Sequence, residues 1–350
     1  MRTTIFRKVP ILAVGLLAGS VLSVGCGTSI TVTRLKPAEV HLAGIKRIAI
    51  TRIDGRDGDT LATMITERLV ESKRFEVVER AEMDKIAAEH RGALDAAFEQ
   101  NQGVELGKLL PAAALVAGSV NESKTDENVR EQRDTCVRYE DIGNKKQRKV
   151  EYSCTHYTRT ANALFTANMR VFDTNTGKIL VTRRLTASDQ KEETKTDAEP
   201  DPINRDAMLE ACRAQVATNF MKLIAPYPVQ EKVDLEKDSA LPELEQGNEY
   251  MKRGDPNTAT EFYARAVARA DATPGMKPDA KARAHYEYGL GKAMSGDYDT
   301  ALAELRLAQT LKAEKDWIDL EIRVGTWKKD ADKVNEQMKE AAPTPPPAQQ

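Results

Sequence analysis

Two cysteines in the middle of the chain, Cys136 and Cys154, can take part in the most kinds of reaction, since thiols form disulfides, bind metals or act as nucleophiles. A bridge between them would close a loop of about 20 residues, worth roughly 3 kcal/mol in the loop-entropy model. A zinc site is the alternative, but neither cysteine belongs to a C-x-x-C pair, and His156 alone does not complete a four-ligand set. For an oxidising compartment we therefore predict a Cys136–Cys154 disulfide.

Other candidate chemistry is sparse in this sequence. The four histidines, including His156 and His285, share no spacing typical of a metal site or an acid–base pair. The run 54–58 lacks a G-x-G-x-x-G frame, a following Gly-Lys-Ser/Thr and the ligand series of an EF-hand, and no G-x-S-x-G elbow occurs. Cys212 lies on a predicted helix, 204–225, where a lone cysteine is typical of a small core residue. We therefore expect no enzymatic activity, no cofactor and no metal.

The N-terminus predicts export. Basic residues precede an apolar run from Val9 to Gly25, which is shorter than the roughly 20 residues of a spanning helix and ends in small residues, as secretory signals do. The junction Gly25-Cys26 resembles the bacterial lipobox, in which cleavage before the cysteine exposes a residue that carries lipid. Ser23 stands where that family prefers Leu, and cleavage at another small residue is the alternative.

The lipobox resemblance implies a membrane anchor at Cys26, because acyl chains contribute about 0.8 kcal/mol per buried methylene. Gly27 follows, rather than the Asp that retains enterobacterial lipoproteins in the inner membrane. The resemblance therefore implies a lipid-anchored protein of the outer membrane that faces the periplasm.

Length and charge narrow the function further. At 350 residues the chain accommodates two or three domains, and 52 Lys and Arg against 54 Asp and Glu give a formal charge of −2. A balance so close to zero excludes a protein that coats nucleic acid. Charged residues at 30% and aromatic residues at 5% exclude a polytopic membrane protein.

Between residues 45 and 227, predicted strands alternate with predicted helices. Residues 45–53 alternate in polarity and indicate a strand, and Leu61, Ile65 and Leu69 at helical spacing predict an amphipathic helix to about residue 72. This order is typical of a mixed α/β sheet. The remaining predicted elements are a strand at 75–78, helices at 79–90 and 104–110, strands at 113–120, 161–171 and 178–185, and a closing helix at 204–225.

Two segments of this region lack an apolar period. Residues 121–152 are dense in charges of both signs, and residues 189–201 are mainly acidic. The first is therefore predicted to be a solvated insertion and the second an acidic loop.

Four runs in the same region carry a family resemblance: KRIAITRIDG, SKRFEVVERAEMDKI, LGKLLPAAALVAGSV and VFDTNTGKIL. In this order they resemble the periplasmic domain shared by the curli-secretion lipoprotein CsgG, the activator LpoB and the TolB N-terminal domain, over about residues 45–227. The resemblance implies the same α/β fold and a function in envelope assembly or secretion.

Whether the chain forms a channel of the CsgG kind is a separate question. Such a channel needs two amphipathic hairpins per subunit, with strands of about 9–11 residues that alternate lipid-facing apolar side chains. Residues 121–152 carry charges on both strand faces, Pro200 interrupts residues 189–201, and the run 54–58 at the expected constriction has no aromatic residue. A non-channel role is therefore favoured. An oligomeric secretion channel subunit and an LpoB-like activator of peptidoglycan synthesis are the alternatives.

The C-terminal part contains two stretches that align with each other, with Gly254 and Gly296 42 residues apart. They resemble tetratricopeptide (TPR) helix pairs, in which Gly and Ala allow close helix crossing, and a plain helical hairpin is the alternative. Tyr250 and His285 are candidate contacts for a partner protein. The pattern comprises Gly247, Tyr250, Gly254, Ala259, Tyr263 and Ala266 in the first stretch, and Gly289, Gly296, Ala301 and Ala308 in the second.

We therefore expect a mixed-sheet α/β (α+β) periplasmic domain followed by an all-α TPR domain, in a non-enzymatic outer-membrane lipoprotein that acts as a protein-binding adaptor. Its expected partners are unidentified envelope proteins and the membrane, through the lipid; no nucleic acid is expected, and homo-oligomerisation is left open. The predicted segments are a signal peptide (1–25), a tether (26–44), the α/β domain (45–227), a linker (228–241), two TPR-like repeats (242–312), a capping helix (313–340) and a disordered proline-rich tail (341–350).

Overall fold

The structure is a computed structural model that describes residues 28–78, 114–143, 145–174 and 176–339. The signal peptide, Cys26, the helices predicted at 79–90 and 104–110 and the proline-rich tail lie outside these residues. The strands are β1 (Thr28–Lys36), β2 (Arg47–Asp54), β3 (Glu76–Val78), β4 (Ala114–Asp141), β5 (Gln147–Asp173), β6 (Ile179–Thr196) and β7 (Tyr227–Leu235). The helices are α1 (Gly58–Ser72), α2 (Arg205–Ile224), α3 (Pro242–Lys252), α4 (Pro256–Ala272), α5 (Pro278–Met294), α6 (Tyr298–Leu311) and α7 (Lys315–Lys339).

The described chain divides into two compact units. The helical unit contains Lys232–Trp317 with the first residues of β1, and the α/β unit contains Val32–Glu231 with α7 from Ile318 onward. A mixed α/β region followed by a helical region is therefore confirmed.

The main sheet of the α/β unit has the strand order β3-β2-β4-β5-β6. β2 is parallel to both β3 and β4, whereas β4, β5 and β6 are successively antiparallel. All strands predicted within the described residues are present, and the sheet is mixed as expected.

Two helices cover one face of this sheet, because α1 and α2 contact each other as well as β2 and β5. α1 buries Leu61, Ile65 and Leu69 at the spacing read from the sequence. α2 starts where the Asn204 side chain accepts a hydrogen bond from the Ala207 amide, a standard N-terminal cap. The core between helices and sheet is apolar. Packing in this core fixes the inner parts of the strands that extend beyond it.

The predicted acidic loop is wrong over residues 189–196, and the predicted solvated insertion consists mainly of strands. Residues 121–141 continue β4, residues 147–152 begin β5, and residues 189–196 complete β6. Because strands that are solvated on both faces carry no apolar period, hydrophobic patterning alone does not reveal them.

The predicted tether and linker also contain strands, since β1 and β7 pair in a two-stranded sheet. In β7 the less exposed positions alternate as Tyr227, Val229, Glu231, Val233 and Leu235. A period of two is present there, but the charged Glu231 within the inward set obscures it in the sequence.

Only the first residues of the predicted capping helix belong to the helical unit. From Ile318 onward α7 lies in the α/β unit, where Asp330 is 2.7 Å from Arg34 Nη1. Arg34 also pairs with Glu231 at 2.6 Å, and the Trp327 indole donates a hydrogen bond to Glu231 at 3.1 Å. These partly buried ion pairs hold α7 on the β1–β7 sheet.

Candidate interaction arm and cysteine–histidine cluster

Three strands continue far beyond the end of β2. The β2–β4 pairing ends with Asp54 opposite Ser119, whereas β4 and β5 stay paired as far as Asp141 opposite Gln147. We call this extension the arm and define it as residues 120–141 of β4, 147–167 of β5 and 185–196 of β6. At about 3.3 Å per residue, its β4 strand is roughly 70 Å long.

A β-bulge lies at the base of the arm. The register passes from Val120 opposite Ala167 to Glu122 opposite Thr166, which leaves Asn121 as the extra residue. Before the bulge, even-numbered residues of β4 lie opposite the buried odd-numbered residues of β5, as Val120 does opposite Ala167. Beyond it, odd-numbered residues do, as Ser123 does opposite Phe165. This change of parity is the physical reason why the sequence shows no continuous alternation there.

The distal arm exposes polar and charged side chains. Every β4 residue from Asn128 to Thr135 is exposed. Glu140 pairs with Arg138 at 2.9 Å and with Arg148 at 2.8 Å. Exposed pairs of this kind contribute about 0–1 kcal/mol each, so these charges suit solubility and recognition better than stability.

The arm has two outer edges. β6 is the last strand of the sheet, and within the described residues β4 beyond Ser119 has no partner other than β5. An unpaired edge presents backbone N–H and C=O groups to which another extended chain can bind. The arm therefore offers two strand-binding edges.

An arginine fastens the segment after β6 to the arm. Arg159 donates hydrogen bonds to Glu127 at 2.8 Å, to Glu199 at 3.2 Å and to the Pro200 carbonyl at 2.8 Å. Arg205 lies 3.3 Å from the same Glu127 carboxylate. The hydrogen bond from Arg159 lowers the pKa of Glu127, so this carboxylate is held in its charged form.

A second contact ties the base of the arm to the helices. Asp57, in the left-handed conformation at φ 64°, accepts a hydrogen bond from the Ser123 hydroxyl and pairs with Arg213 on α2 at 3.2 Å. At the next residue only glycine fits, because a Cβ on Gly58 would lie 1.9 Å from the Ile53 carbonyl oxygen. The run 54–58 is thus a tightly built turn that supports the arm.

The sequence match agrees with this architecture. Residues 30–199, from β1 to the segment after β6, match the family model described as curli production assembly/transport component CsgG. This segment is a CsgG domain. It begins before the predicted start at residue 45 because it includes β1, and it includes the whole arm. The CsgG domain indicates a function related to secretion or assembly at the outer membrane.

Two solved structures are similar to the chain. The hypothetical protein CT253 from Chlamydia trachomatis is 16% identical, with 41% of this chain and 71% of that chain covered and a TM-score of 0.23. The PelC dodecamer from Paraburkholderia phytofirmans is 13% identical, with 57% of this chain and 99% of that chain covered and a TM-score of 0.24. No curated protein matches the chain.

In the helical unit, the small residues of the sequence pattern lie where helices cross. A Cβ on Gly247 would lie 2.4 Å from the Tyr263 ring, and one on Gly289 would lie 3.0 Å from Leu305. The close approach of α3 to α4 and of α5 to α6 therefore depends on these glycines. The fully buried pattern residues are Ala259, Tyr263, Ala266, Ala301 and Ala308.

The two helix pairs use the same turn. Gly254 and Gly296 have φ values of 78° and 85°, a region that glycine adopts without strain. The aspartates that follow, Asp255 and Asp297, accept hydrogen bonds from the backbone amides of Thr258 and Thr300 and cap the next helix.

The two candidate contact residues of the helical unit differ in accessibility. Tyr250 is partly exposed and stacks on Phe262 with ring centroids 5.2 Å apart. His285 is only 4% exposed, and its Nδ1 lies 2.6 Å from Glu304 on α6. The prediction of His285 as a contact is therefore wrong, because this side of α5 packs against α6.

Sequence reasoning missed a buried polar network in the same unit. Glu287 is completely buried and accepts a hydrogen bond from the Glu236 amide. Tyr263 donates to Asn248 at 2.8 Å, and Asn248 donates to the Glu236 carbonyl at 2.8 Å. Burial raises the pKa of Glu287 well above its usual value, which favours the neutral form of this carboxyl. Residue type gave no signal for the burial of Glu287, because the same helix also carries Asp279, Lys281, Arg283 and Lys292.

The cysteines and one histidine meet on the arm. Cys136 and Cys154 form a disulfide with Cα atoms 5.7 Å apart, and His156 Nε2 lies 3.8 Å from each sulfur.

Cys212 is buried in the core, as expected for a small apolar residue. The lipid anchor predicted at Cys26 lies outside the described residues. None of the described helices has the length and hydropathy needed to cross a membrane.

Proposed function

We propose that this protein is a non-enzymatic, lipid-anchored outer-membrane adaptor that binds envelope proteins during assembly or secretion. The observation that supports it best is the arm of the CsgG domain, whose β4 edge from Val120 to Asp141 has no strand partner among the described residues. The edge provides backbone hydrogen bonds for an extended segment of a partner, and the flanking charges provide selectivity.

The helical unit adds a second protein-binding surface in this proposal. We assign its two helix pairs to the TPR type, on the basis of the shared turns and the glycines at the helix crossings. Tyr250, stacked on Phe262, is the candidate contact that remains on its surface.

In-cell photo-cross-linking tests the adaptor function. A photoreactive residue at Asn128, on the exposed β4 edge, is expected to cross-link the full chain to an envelope protein. The same residue at Val70, which is 59% exposed on α1, is the matched control and is expected to give no such product. Equal products from both positions, or none from Asn128, would contradict the adaptor proposal.

A second candidate function, a subunit of an oligomeric secretion channel, is favoured by one feature of the arm. Its two outer strands, β4 and β6, are both edges, so copies of the chain can join β4 to β6 around a ring. Asn128 would then cross-link to the chain itself, and the purified protein would conduct ions in a planar bilayer. Heterologous products without conductance distinguish the adaptor from the channel.

A further inference from the structure

The disulfide and His156 form a compact group of potential metal ligands. Cys136 Sγ, Cys154 Sγ and His156 Nε2 lie within 4.8 Å of one another, and they are the only such group of three found among the residues that the structure describes. We propose that reduction of the Cys136–Cys154 disulfide converts this group into a three-ligand site for Zn²⁺, with the fourth position open to water.

The two nitrogen–sulfur distances fit a tetrahedral ion, whereas the two sulfurs, which are bonded in the disulfide, must separate after reduction. With Zn–S of about 2.3 Å and Zn–N of about 2.0 Å, a sulfur and a nitrogen on the same zinc are roughly 3.6 Å apart. The separation of 3.8 Å between His156 Nε2 and each sulfur is close to that value. The imidazole therefore needs almost no movement to become a ligand.

The strand register explains how three ligands arise from only two strands. Cys154 and His156 are two residues apart on β5, so both side chains lie on the same face. Cys136 on β4 is opposite Tyr152, which places it diagonally next to Cys154 on that face. The sheet thus assembles a site without a C-x-x-C motif, and the lack of that motif is why the sequence favoured a disulfide over zinc here.

A neighbouring residue on β6 positions the histidine. Thr196 Oγ1 lies 3.0 Å from His156 Nδ1. When Nδ1 carries the proton and donates it to this hydroxyl, Nε2 presents its lone pair to the two sulfurs. Hydrogen bonds of this kind orient metal-binding histidines and raise their basicity.

An external dithiol can reduce the disulfide, and Cys136 is the accessible point of attack because it is partly exposed whereas Cys154 is 2% exposed. A thiolate of the dithiol attacks the Cys136 sulfur, forms a mixed disulfide and releases the Cys154 thiolate. The second thiol of the dithiol then releases Cys136 and becomes oxidised to a disulfide, so two electrons pass to the protein. Zn²⁺ binds both thiolates and the neutral imidazole, and the thiol protons pass to solvent.

Cobalt(II) titration tests the proposal, because Co²⁺ reports thiolate ligation by absorption. The full chain is reduced with a phosphine, which is then removed without oxygen. We expect one equivalent of Co²⁺ to give thiolate charge-transfer and tetrahedral ligand-field bands that Zn²⁺ abolishes. The oxidised chain is expected to give none. A reduced, folded chain without these bands would overturn the proposal.

Three variants separate the proposed site from adventitious binding by thiols. Thr196→Val is expected to weaken Co²⁺ binding by about 10-fold to 100-fold, and His156→Ala is expected to weaken it more. Cys212→Ala, which changes the buried core cysteine, is the matched control and should retain full binding. Wild-type affinity in His156→Ala, with circular dichroism showing a folded chain, would mean two-thiolate chelation and contradict the site.

Discussion

The arm and the helical unit treat polar side chains in opposite ways. The distal arm, from Asn128 to Thr135 on β4, presents them to solvent on both faces of the strand, where their contribution to stability is small. The helical unit encloses Glu287, Asn248 and Tyr263 in a core made mostly of Ala and Gly. Exposed charges add little to the stability of the arm, whereas buried polar groups tie the helices to one arrangement.

The largest effect is expected for an aromatic side chain at the centre of the helical unit. Tyr263→Ala removes a fully buried ring and the donor to Asn248, and should lower the free energy of unfolding by about 3–5 kcal/mol. Urea unfolding followed by circular dichroism measures the change. Tyr139→Ala, at a position 64% exposed on the arm, is the control and should change stability by less than about 0.5 kcal/mol. Equal losses would show that the two regions do not differ as described.

A smaller loss is expected where α3 and α4 cross. Gly247→Ala places a Cβ against the Tyr263 ring and should destabilise by about 1–3 kcal/mol. Gly325→Ala on α7 meets no atom within 4 Å and should instead stabilise by about 0.5–1 kcal/mol, because it removes the entropic cost of glycine in a helix. Thermal unfolding of both variants measures whether each change lowers or raises stability. A change in the same direction for both would contradict close packing at Gly247.

The buried carboxyl of Glu287 should make stability depend on pH. Its pKa is raised in the folded chain, so above the usual value of 4.5 the unfolded chain releases a proton that the folded chain retains. Stability therefore falls as pH rises, by at most about 1.4 kcal/mol per pH unit from this one group. Glu287→Gln should remove this component of the pH dependence above pH 4.5. Exposed Glu245, changed to Gln as the control, should leave the wild-type slope unchanged, and an unchanged slope in Glu287→Gln would refute the burial argument.

The smallest effect is expected on the arm, where the pH dependence of stability should have the sign opposite to that from Glu287. The pKa of Glu127 is lowered by its hydrogen bond from Arg159, so the stability it provides is present above its usual pKa and is lost as pH falls. Glu127→Gln should lower the Tm at about pH 6, and the difference from wild type should shrink as pH falls below 4.5. Glu131→Gln on the exposed part of the same strand is the control. A Tm difference that grows on acidification would contradict the prediction.

Much of the fold could be predicted from local pattern. The period of α1 and the alternation in β5 report burial directly, since one face of each meets a core. The arm could not be predicted in this way, because its distal residues face water on both sides and the bulge at Asn121 shifts the parity of β4. Pairing over so long a stretch depends on the partner strand, and the residue pattern within one segment carries no information about that partner.

By itself, the sequence determined the α/β and helical regions, the turns at Gly254 and Gly296, and the choice of Cys136 and Cys154 as partners, because each depends on residue type and spacing along the chain. Only the tertiary structure decided that the charged segments form an arm whose outer edges have no strand partner among the described residues, and that His156 Nε2 lies 3.8 Å from both sulfurs. It also decided that Glu287 is buried. The physical reason is that register across strands and packing between helices bring together residues whose proximity has no signal in the linear order.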